Sequence, residues 1–193
     1  MSVRLLDIQS TTTRIVGRQS ADADTKPACS CLASLDGEHS GLVASAGWNK
    51  KFYLWDIRQS SPVANIDLPG KAFGMDVDRE RHRLVVVTAG RRSCFIDIQN
   101  QKPTIVLDRE SSLKFQTRCV QFFPDGTGLA LGSVEGRVGV EFLEELGLSA
   151  SMKKYAFKCH RVNDTVYPVN CIKFHPRFHG AFATGGCDGT VGT

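Results

Sequence analysis

Short runs in which apolar and polar residues alternate recur along this chain and predict β-strands. Four segments share one plan: an apolar stretch, a step of small residues, a polar turn and a second alternating run. They occupy residues 42–57, 84–98, 129–142 and 181–191. Alternation with a period of two puts successive side chains on opposite faces of a strand, and no stretch shows a long helical pattern. The pattern therefore predicts an all-β protein.

The four segments are spaced like repeats of one structural unit. Counted from Gly47 to Gly90, Ser133 and Gly186, the steps are 43, 43 and 53 residues. The first segment ends in the dipeptide Trp55-Asp56. A Trp-Asp pair and a period of about 40–45 residues mark the blades of WD-repeat β-propellers. Each such blade is a four-stranded antiparallel sheet.

The length predicts an incomplete propeller. Seven blades of this period need about 300 residues, so 193 residues provide about four to four and a half blades of an expected seven. The predicted units are an orphan terminal blade strand at 1–10, blades at 28–58, 70–99 and 115–145, and a partial blade at 155–193. If the N-terminal strand completed the last blade, a closed four-bladed ring would form instead. An open arc leaves sheet edges bare, which predicts poor solubility.

Composition agrees with a globular protein. Hydrophobic residues make up 41% of the chain and charged residues 23%, and no apolar run approaches the roughly 18–20 residues of a membrane span. The first ten residues include Arg4 and Asp7 and no apolar core, so no secretory signal is expected. Seven scattered cysteines, an odd number, argue against a disulfide framework and for a reducing compartment.

The charge is uneven along the chain. Residues 1–145 hold 18 basic and 18 acidic residues, whereas residues 146–193 hold six basic and two acidic ones. The net charge of +4 therefore lies entirely in the last quarter. Two interpretations are open: a solvated face, or a docking surface for an acidic or phosphorylated partner.

Several longer strings of residues carry a resemblance to a known family. They are the runs at 109–119, 133–138, 155–161, 167–170 and 182–186, supported upstream by 88–92. Together they resemble the mitotic-checkpoint WD-repeat protein of the Bub family. The runs at 133–138 and 155–161 are shared with a sister family, the messenger-RNA-export WD-repeat protein that binds a nucleoporin. The runs at 109–119 and 167–170 are nearer to the checkpoint protein.

The resemblance implies a non-catalytic adaptor of the spindle assembly checkpoint, without a cofactor. Its implied partners are checkpoint kinases, bound through a GLEBS-type motif, and a kinetochore scaffold with phosphorylated Met-Glu-Leu-Thr repeats. No membrane partner is implied, and nucleic acid is a partner only in the export alternative. The implied location is the nucleus and kinetochore, with the cytoplasm left open.

A phosphothreonine carries about −1.5 to −2 charges and needs Arg or Lys donors. Lys158 and Arg161, in the run at 155–161, are the first candidates for the phosphopeptide and partner site, followed by Arg118 and by Trp48 beside a blade turn. The competing interpretations are ordinary exposed charges for the three cations and blade packing for Trp48.

Other patterns point to no chemistry. Cys171, His175 and His179 stand at four-residue intervals, but Pro176 interrupts any helix that would align them, so no metal site is expected. No phosphate-binding loop or nucleophile motif occurs. Asn49 stands where WD-repeat turns often have Asp, which puts the hydrogen bonds of that blade in question. Three functional classes follow: a checkpoint adaptor, a nucleoporin-bound export factor, and an enzyme built on a propeller, for which no catalytic residues appear.

Overall fold

The computed structural model describes residues 2–18, 28–35, 41–143 and 154–193. Within these ranges the chain is all-β, and the only helical element is a 3₁₀ turn at Gln99–Gln101. The nineteen strands, in chain order, are β1 (Ser2–Leu6), β2 (Thr13–Arg18), β3 (Cys29–Leu35), β4 (Leu42–Gly47), β5 (Lys51–Asp56), β6 (Pro62–Asp67), β7 (Ala72–Asp78), β8 (Arg83–Thr88), β9 (Arg92–Asp97), β10 (Thr104–Glu110), β11 (Thr117–Phe122), β12 (Gly128–Ser133), β13 (Arg137–Phe142), β14 (Lys154–Lys158), β15 (Arg161–Val162), β16 (Thr165–Val166), β17 (Val169–Phe174), β18 (Phe182–Gly186) and β19 (Val191–Gly192).

The strands form consecutive antiparallel blades, as the repeat predicted. Three sheets have four strands each, β3–β6, β7–β10 and β11–β14, and a fourth sheet has the three strands β17–β19. We call them blades 1, 2, 3 and 4. The first strands of successive blades, β3, β7, β11 and β17, contact one another, so they lie on the inner side of the arc. The prediction of a partial WD-repeat propeller is confirmed.

The core lies between blades, because every inner sheet is covered on both faces. In β8, Leu84 and Val86 pack in the cluster shared with blade 1, whereas Val85 and Val87 pack in the cluster shared with blade 3. All four side chains are fully buried. This explains why the strand is a continuous apolar run instead of an alternating one. Truncating one of them to Ala should cost about 2–5 kcal/mol of stability.

The N-terminal segment is a two-stranded hairpin. β1 pairs with β2, which lies beyond the predicted strand at 1–10. Val3 and Val16 of this hairpin pack against Tyr53 and Trp55 of blade 1. The hairpin therefore occupies the place of a preceding blade, and β1 pairs with β2 instead of with the last blade.

The sheets correct several predicted blade limits. The ranges 28–58 and 70–99 stop before the fourth strands β6 and β10. The range 155–193 includes β14, which is the fourth strand of blade 3, so blade 4 begins only at Val169. Fourth strands are half-exposed and carry less apolar sequence, which is why the pattern missed them. Parts of the predicted ranges, 36–40 and 144–145, lie outside the described residues.

A small hairpin, β15–β16, lies between blade 3 and blade 4. Among the described residues, no helix is long and apolar enough to cross a membrane.

Candidate functional site

One edge of the blades carries every sequence-predicted site residue. At this edge lie the turns between second and third strands and the links from each fourth strand to the next blade; we call it the upper face. Equivalent backbone hydrogen bonds tie each turn to the link before it: the amides of Trp48, Ala89, Val134 and Cys187 donate to the carbonyls of Ala28, Lys71, Gln116 and Pro168 at 2.8, 2.8, 3.0 and 3.0 Å.

These bonds also correct the repeat alignment. Trp48, Ala89, Val134 and Cys187 are equivalent, so the partner of Gly47 in blade 2 is Thr88, and not Gly90. The fourth turn position has a positive φ in each blade, with values of 59°, 61°, 61° and 76° at Lys50, Arg91, Gly136 and Gly189. A left-handed residue is what closes each turn, and two blades achieve it without glycine.

Lys158 is exposed and is the last residue of β14. It pairs with Arg137 on the neighbouring strand, which brings two cations together at the end of blade 3. It also lines a cavity of about 590 Å³ whose other walls include Phe157, Phe182 and Thr184. The Lys158 ammonium can therefore contact a ligand bound at this cavity.

Arg161 is bound to the protein itself. Its Nη2 donates to the carbonyl of Glu135 at 2.9 Å and its Nε to that of Gly136 at 3.5 Å. The half-buried guanidinium therefore fastens the β15–β16 hairpin to the turn of blade 3. Much of its donor capacity is used, so Arg161 is first of all a positioning residue.

The remaining two predicted residues lie on the upper face but in different blades. Arg118 is exposed near the start of β11. Trp48 lies in the turn of blade 1, and its residue exposure is 52%. Its exposed indole differs from that of Trp55, which is fully buried in blade 1.

Three further upper-face cations were missed by the sequence reasoning. Lys50 lies in the turn of blade 1, and Lys71 and Lys114 lie in the links before β7 and β11. Aligned turns offered a signal for Lys50, because Arg91 occupies the same turn position in blade 2. Lys71 and Lys114 are not at equivalent positions, since Lys71 aligns with Gln116. Arg161 is held by carbonyls. Besides it, five upper-face cations have no carboxylate within 4.0 Å among the described residues, whereas Lys51, Arg91 and Arg137 are paired; the five are Lys50, Lys71, Lys114, Arg118 and Lys158.

His160, next to the candidate cations, has a structural role. Its Nδ1 lies 2.9 Å from Asp188 Oδ1 and its Nε2 lies 2.9 Å from Thr184 Oγ1. The ring is almost fully buried and joins the link before blade 4 to the turn of that blade. Partial burial by itself raises the pKa of Asp188, but hydrogen bonds from Thr190 and His160 bring it below the ordinary value.

Burial makes three of the seven cysteines poor nucleophiles. Burial raises the pKa of Cys31 to about 11 and those of Cys94 and Cys119 to about 12. Protonated thiols are poor nucleophiles and poor metal ligands. Within the described ranges no group of three or more His, Cys, Asp or Glu side chains could hold a metal ion.

Comparisons with known proteins agree with this geometry. A family model described as WD domain, G-beta repeat, matches residues 152–192. The chain is 48% identical over 161 residues to mitotic checkpoint protein BUB3.1 of Arabidopsis thaliana, covering 79% of this chain and 46% of that protein. It is 47% identical to mitotic checkpoint protein bub3 of Dictyostelium discoideum, covering 76% and 45%.

A relative with a different role is also similar. The chain is 37% identical to the poly(A)+ RNA export protein of Schizosaccharomyces pombe, covering 98% of this chain and 51% of that protein. The chain thus spans about half the length of the curated relatives it matches. Sequence and blades together identify it as a partial WD-repeat β-propeller, similar to the Bub3-type mitotic checkpoint proteins and to the mRNA-export WD-repeat proteins.

Proposed function

We propose that this chain is a non-catalytic adaptor of the spindle assembly checkpoint, acting in the nucleus at kinetochores. Its partners would be a short GLEBS-type motif of checkpoint kinases and phosphorylated repeats of a kinetochore scaffold. The observation that carries the proposal is the set of five unpaired upper-face cations, together with similarity to mitotic checkpoint proteins.

Phosphate chemistry supports this set of residues. A phosphorylated side chain binds through charge-assisted hydrogen bonds, which need cations that are not already neutralised. Lys158 and Arg118 meet that condition, because both are exposed and neither has a carboxylate partner among the described residues. Both lie at the upper end of blade 3, so one peptide has two cations within the same blade. Trp48 offers an exposed aromatic surface for a peptide side chain on the same face.

The test is a titration with phosphorylated and unphosphorylated Met-Glu-Leu-Thr peptides. Wild-type chain should prefer the phosphorylated peptide, and Lys158→Glu or Arg118→Glu should remove at least about tenfold of that preference, because each lost charge-assisted bond is worth about 1.5–3 kcal/mol. Lys154→Glu is the matched control, since it reverses the same charge at the other end of β14. Equal affinity for both peptides in the wild type would overturn the proposal.

Arg161 needs a separate experiment. Because it holds Glu135 and Gly136, Arg161→Glu should loosen the β15–β16 hairpin as well as change the charge. We therefore expect Arg161→Gln, which keeps a donor, to retain more peptide affinity than Arg161→Glu, with hydrogen exchange of the hairpin amides rising in the latter. An unchanged hairpin with lost phosphate preference would instead assign Arg161 to direct contact.

The second candidate is a nucleoporin-binding mRNA-export factor. The similarity to the poly(A)+ RNA export protein and the basic surplus of residues 146–193 favour it. Single-stranded RNA and a nucleoporin peptide, titrated in the same buffer, distinguish the two. Tight binding of either, without a phosphate preference, would select the export role.

A further inference from the structure

Blade 3 carries a buried carboxylate at a position that is apolar in the two blades before it. Seven residues after the equivalent turn amides, the third strands place Trp55 in blade 1, Ile96 in blade 2 and Glu141 in blade 3. Trp55 and Ile96 are fully buried, and Glu141 is only 3% exposed. A buried charge costs stability unless it is paired, and natural proteins break such local rules mainly at functional sites.

Both oxygens of this carboxylate bind the chain that leads from blade 2 into blade 3. The Oε2 of Glu141 accepts from the Nη2 of Arg109 at 2.6 Å, and its Oε1 accepts the backbone amide of Ser112 at 2.8 Å. The guanidinium of Arg109 also lies over the ring of Phe95, 5.3 Å from its centroid. Arg109 belongs to β10 and Ser112 to the link that follows, so Glu141 fastens blade 3 to both.

The link at 111–116 fits closely between the two blades. Leu113 is buried, and a Cβ added to Gly139 would lie 3.0 Å from its Cγ, so the glycine lets the link approach β13. On the side of blade 2, the Nη1 of Arg91 donates to the carbonyl of Leu113 at 3.1 Å, and the Nε2 of Gln116 donates to a carbonyl of β8 at 3.0 Å. Glu141 holds the first half of the link on the side of blade 3.

The outer side of this link carries part of the proposed phosphopeptide site. Lys114 and Phe115 are exposed on the upper face, and Arg118 follows two residues after the link. Lys114 and Arg118 are two of the five upper-face cations without a carboxylate partner among the described residues. Because Arg118 belongs to β11 and Lys114 to the link, a shift of the link at Ser112 would change the distance between these two cations.

We propose that Glu141 is a positioning residue of this site: it fixes the link at Ser112, so that Lys114 and Arg118 can bind one phosphorylated peptide together. The inference rests on the proposed function and adds to it a residue that touches no ligand. Stability alone does not account for the carboxylate, because a buried ion pair is often no more stabilising than apolar residues of similar volume. Apolar residues do occupy the equivalent positions of blades 1 and 2.

Two double variants of the 193-residue chain separate position from stability. Arg109→Met with Glu141→Leu removes both charges and the acceptor of the Ser112 amide. Arg109→Met with Glu141→Gln also removes both charges but keeps a side-chain oxygen as acceptor. Neither pair of substitutions alters the net charge of +4, so long-range electrostatics stay equal. The measurements are urea denaturation, hydrogen exchange of the Ser112 amide, and titration with phosphorylated and unphosphorylated Met-Glu-Leu-Thr peptides.

We expect opposite orders for stability and for peptide binding. The Glu141→Leu double variant should unfold at the same or a higher urea concentration than the Glu141→Gln one, since it buries no unpaired amide group. It should nevertheless exchange the Ser112 amide faster and lose at least about tenfold of the phosphate preference, which corresponds to one charge-assisted hydrogen bond. The Glu141→Gln double variant should keep the preference.

Arg92→Gln with Asp108→Asn is the matched control. These residues form another ion pair of blade 2, outside the link, with 2.8 Å between Arg92 Nη2 and Asp108 Oδ2. Their substitution also leaves the net charge unchanged, and both the Ser112 exchange rate and the phosphate preference should stay as in the wild type.

Three results would overturn the inference: an unchanged phosphate preference in the Glu141→Leu double variant, an equal loss in the Glu141→Gln one, or unchanged exchange at Ser112 in both. The proposed function fails in a different way, because it fails if the wild-type chain itself has no phosphate preference. Exchange at Ser112 would then still decide whether Glu141 holds the link, since that measurement needs no peptide.

Discussion

The turns of blade 1 and blade 4 place the same two polar positions in different surroundings. In blade 4, Asp188 and Thr184 are joined by His160, with both contacts at 2.9 Å. In blade 1 the equivalent residues are Asn49 and Ser45. Among the described residues, Asn49 reaches only Tyr53 at 3.4 Å and its buried Oδ1 has no hydrogen-bond partner, while Ser45 accepts from Trp55 at 2.8 Å.

The two turns differ in the contacts of these positions among the described residues. In blade 4 a histidine from the preceding link bridges them. In blade 1 the buried Trp55 donates to Ser45, and the amide oxygen of Asn49 is unsatisfied, which costs stability. The Asn at position 49, where WD-repeat turns often have Asp, therefore leaves a buried amide oxygen without a hydrogen-bond partner among the described residues.

The largest expected effect is the loss of the bridge in blade 4. His160→Leu should lower the free energy of unfolding by about 2–4 kcal/mol, because the buried hydroxyl of Thr184 would lose the ring nitrogen it contacts and Asp188 would keep only its bonds from Thr190. Urea denaturation measures it. His179→Leu, at an exposed position, should change stability by less than about 0.5 kcal/mol. Equal effects of the two substitutions would contradict the bridge.

A smaller loss is expected in blade 1. Trp55→Phe removes the bond to Ser45 and part of the packing, and should cost about 2 kcal/mol. In the double variant with Ser45→Ala the cost of losing the Trp55–Ser45 bond should not be added a second time, because Ser45→Ala alone already removes its acceptor. A thermodynamic cycle from urea denaturation gives the coupling. Strict additivity of the two changes would show that the bond contributes nothing.

Substitutions at the fourth turn position, where φ is positive, should change stability in opposite directions in blades 4 and 1. Gly189→Ala should destabilise blade 4 by about 1 kcal/mol, because φ is 76° and no other atom lies near the added Cβ. Lys50→Gly at the equivalent position should be neutral or stabilising by up to about 1 kcal/mol. Thermal melting of both variants measures the pair. Destabilisation by both would show that backbone strain is not the cause.

The smallest effect at neutral pH is expected for Asp188→Asn, since the amide oxygen can still accept from His160. The wild type and the Asn variant should differ in stability at acid pH. Because the folded-state pKa of Asp188 is below the ordinary 3.8, its ionised form stabilises the fold above that pH and the contribution is lost as the pH falls through the lower value. Stability of the Asn variant should therefore decline less steeply below about pH 4. Identical acid curves would exclude the contribution.

The repeat and the fold class could be predicted from local pattern because they depend on alternation and turn chemistry. The fourth strands could not, since β6 and β10 are half-exposed and their sequence does not alternate strongly. The alignment error at Gly90 has a related cause: glycine was taken as the marker of the turn, but Arg91 occupies the left-handed position.

The candidate site was predictable in location and less so in detail. Lys158 and Arg118 are exposed on the upper face, and Lys50 could have been found by aligning the turns, because Arg91 occupies the same position in blade 2. Nothing in the sequence indicates that the guanidinium of Arg161 binds the carbonyls of Glu135 and Gly136. These acceptors belong to a turn 25 residues away, and a backbone carbonyl leaves no mark in the sequence.

Sequence alone determined that this chain is all-β, that its unit repeats about every forty residues, and that the unit is a WD-repeat blade, because these properties follow from short-range periodicity. The tertiary structure decided which strand faces are covered, because a face is buried only where a neighbouring blade lies beside it. It also decided that His160 bridges a turn and that the first two strands pack on blade 1, since both depend on contacts between segments far apart in the chain.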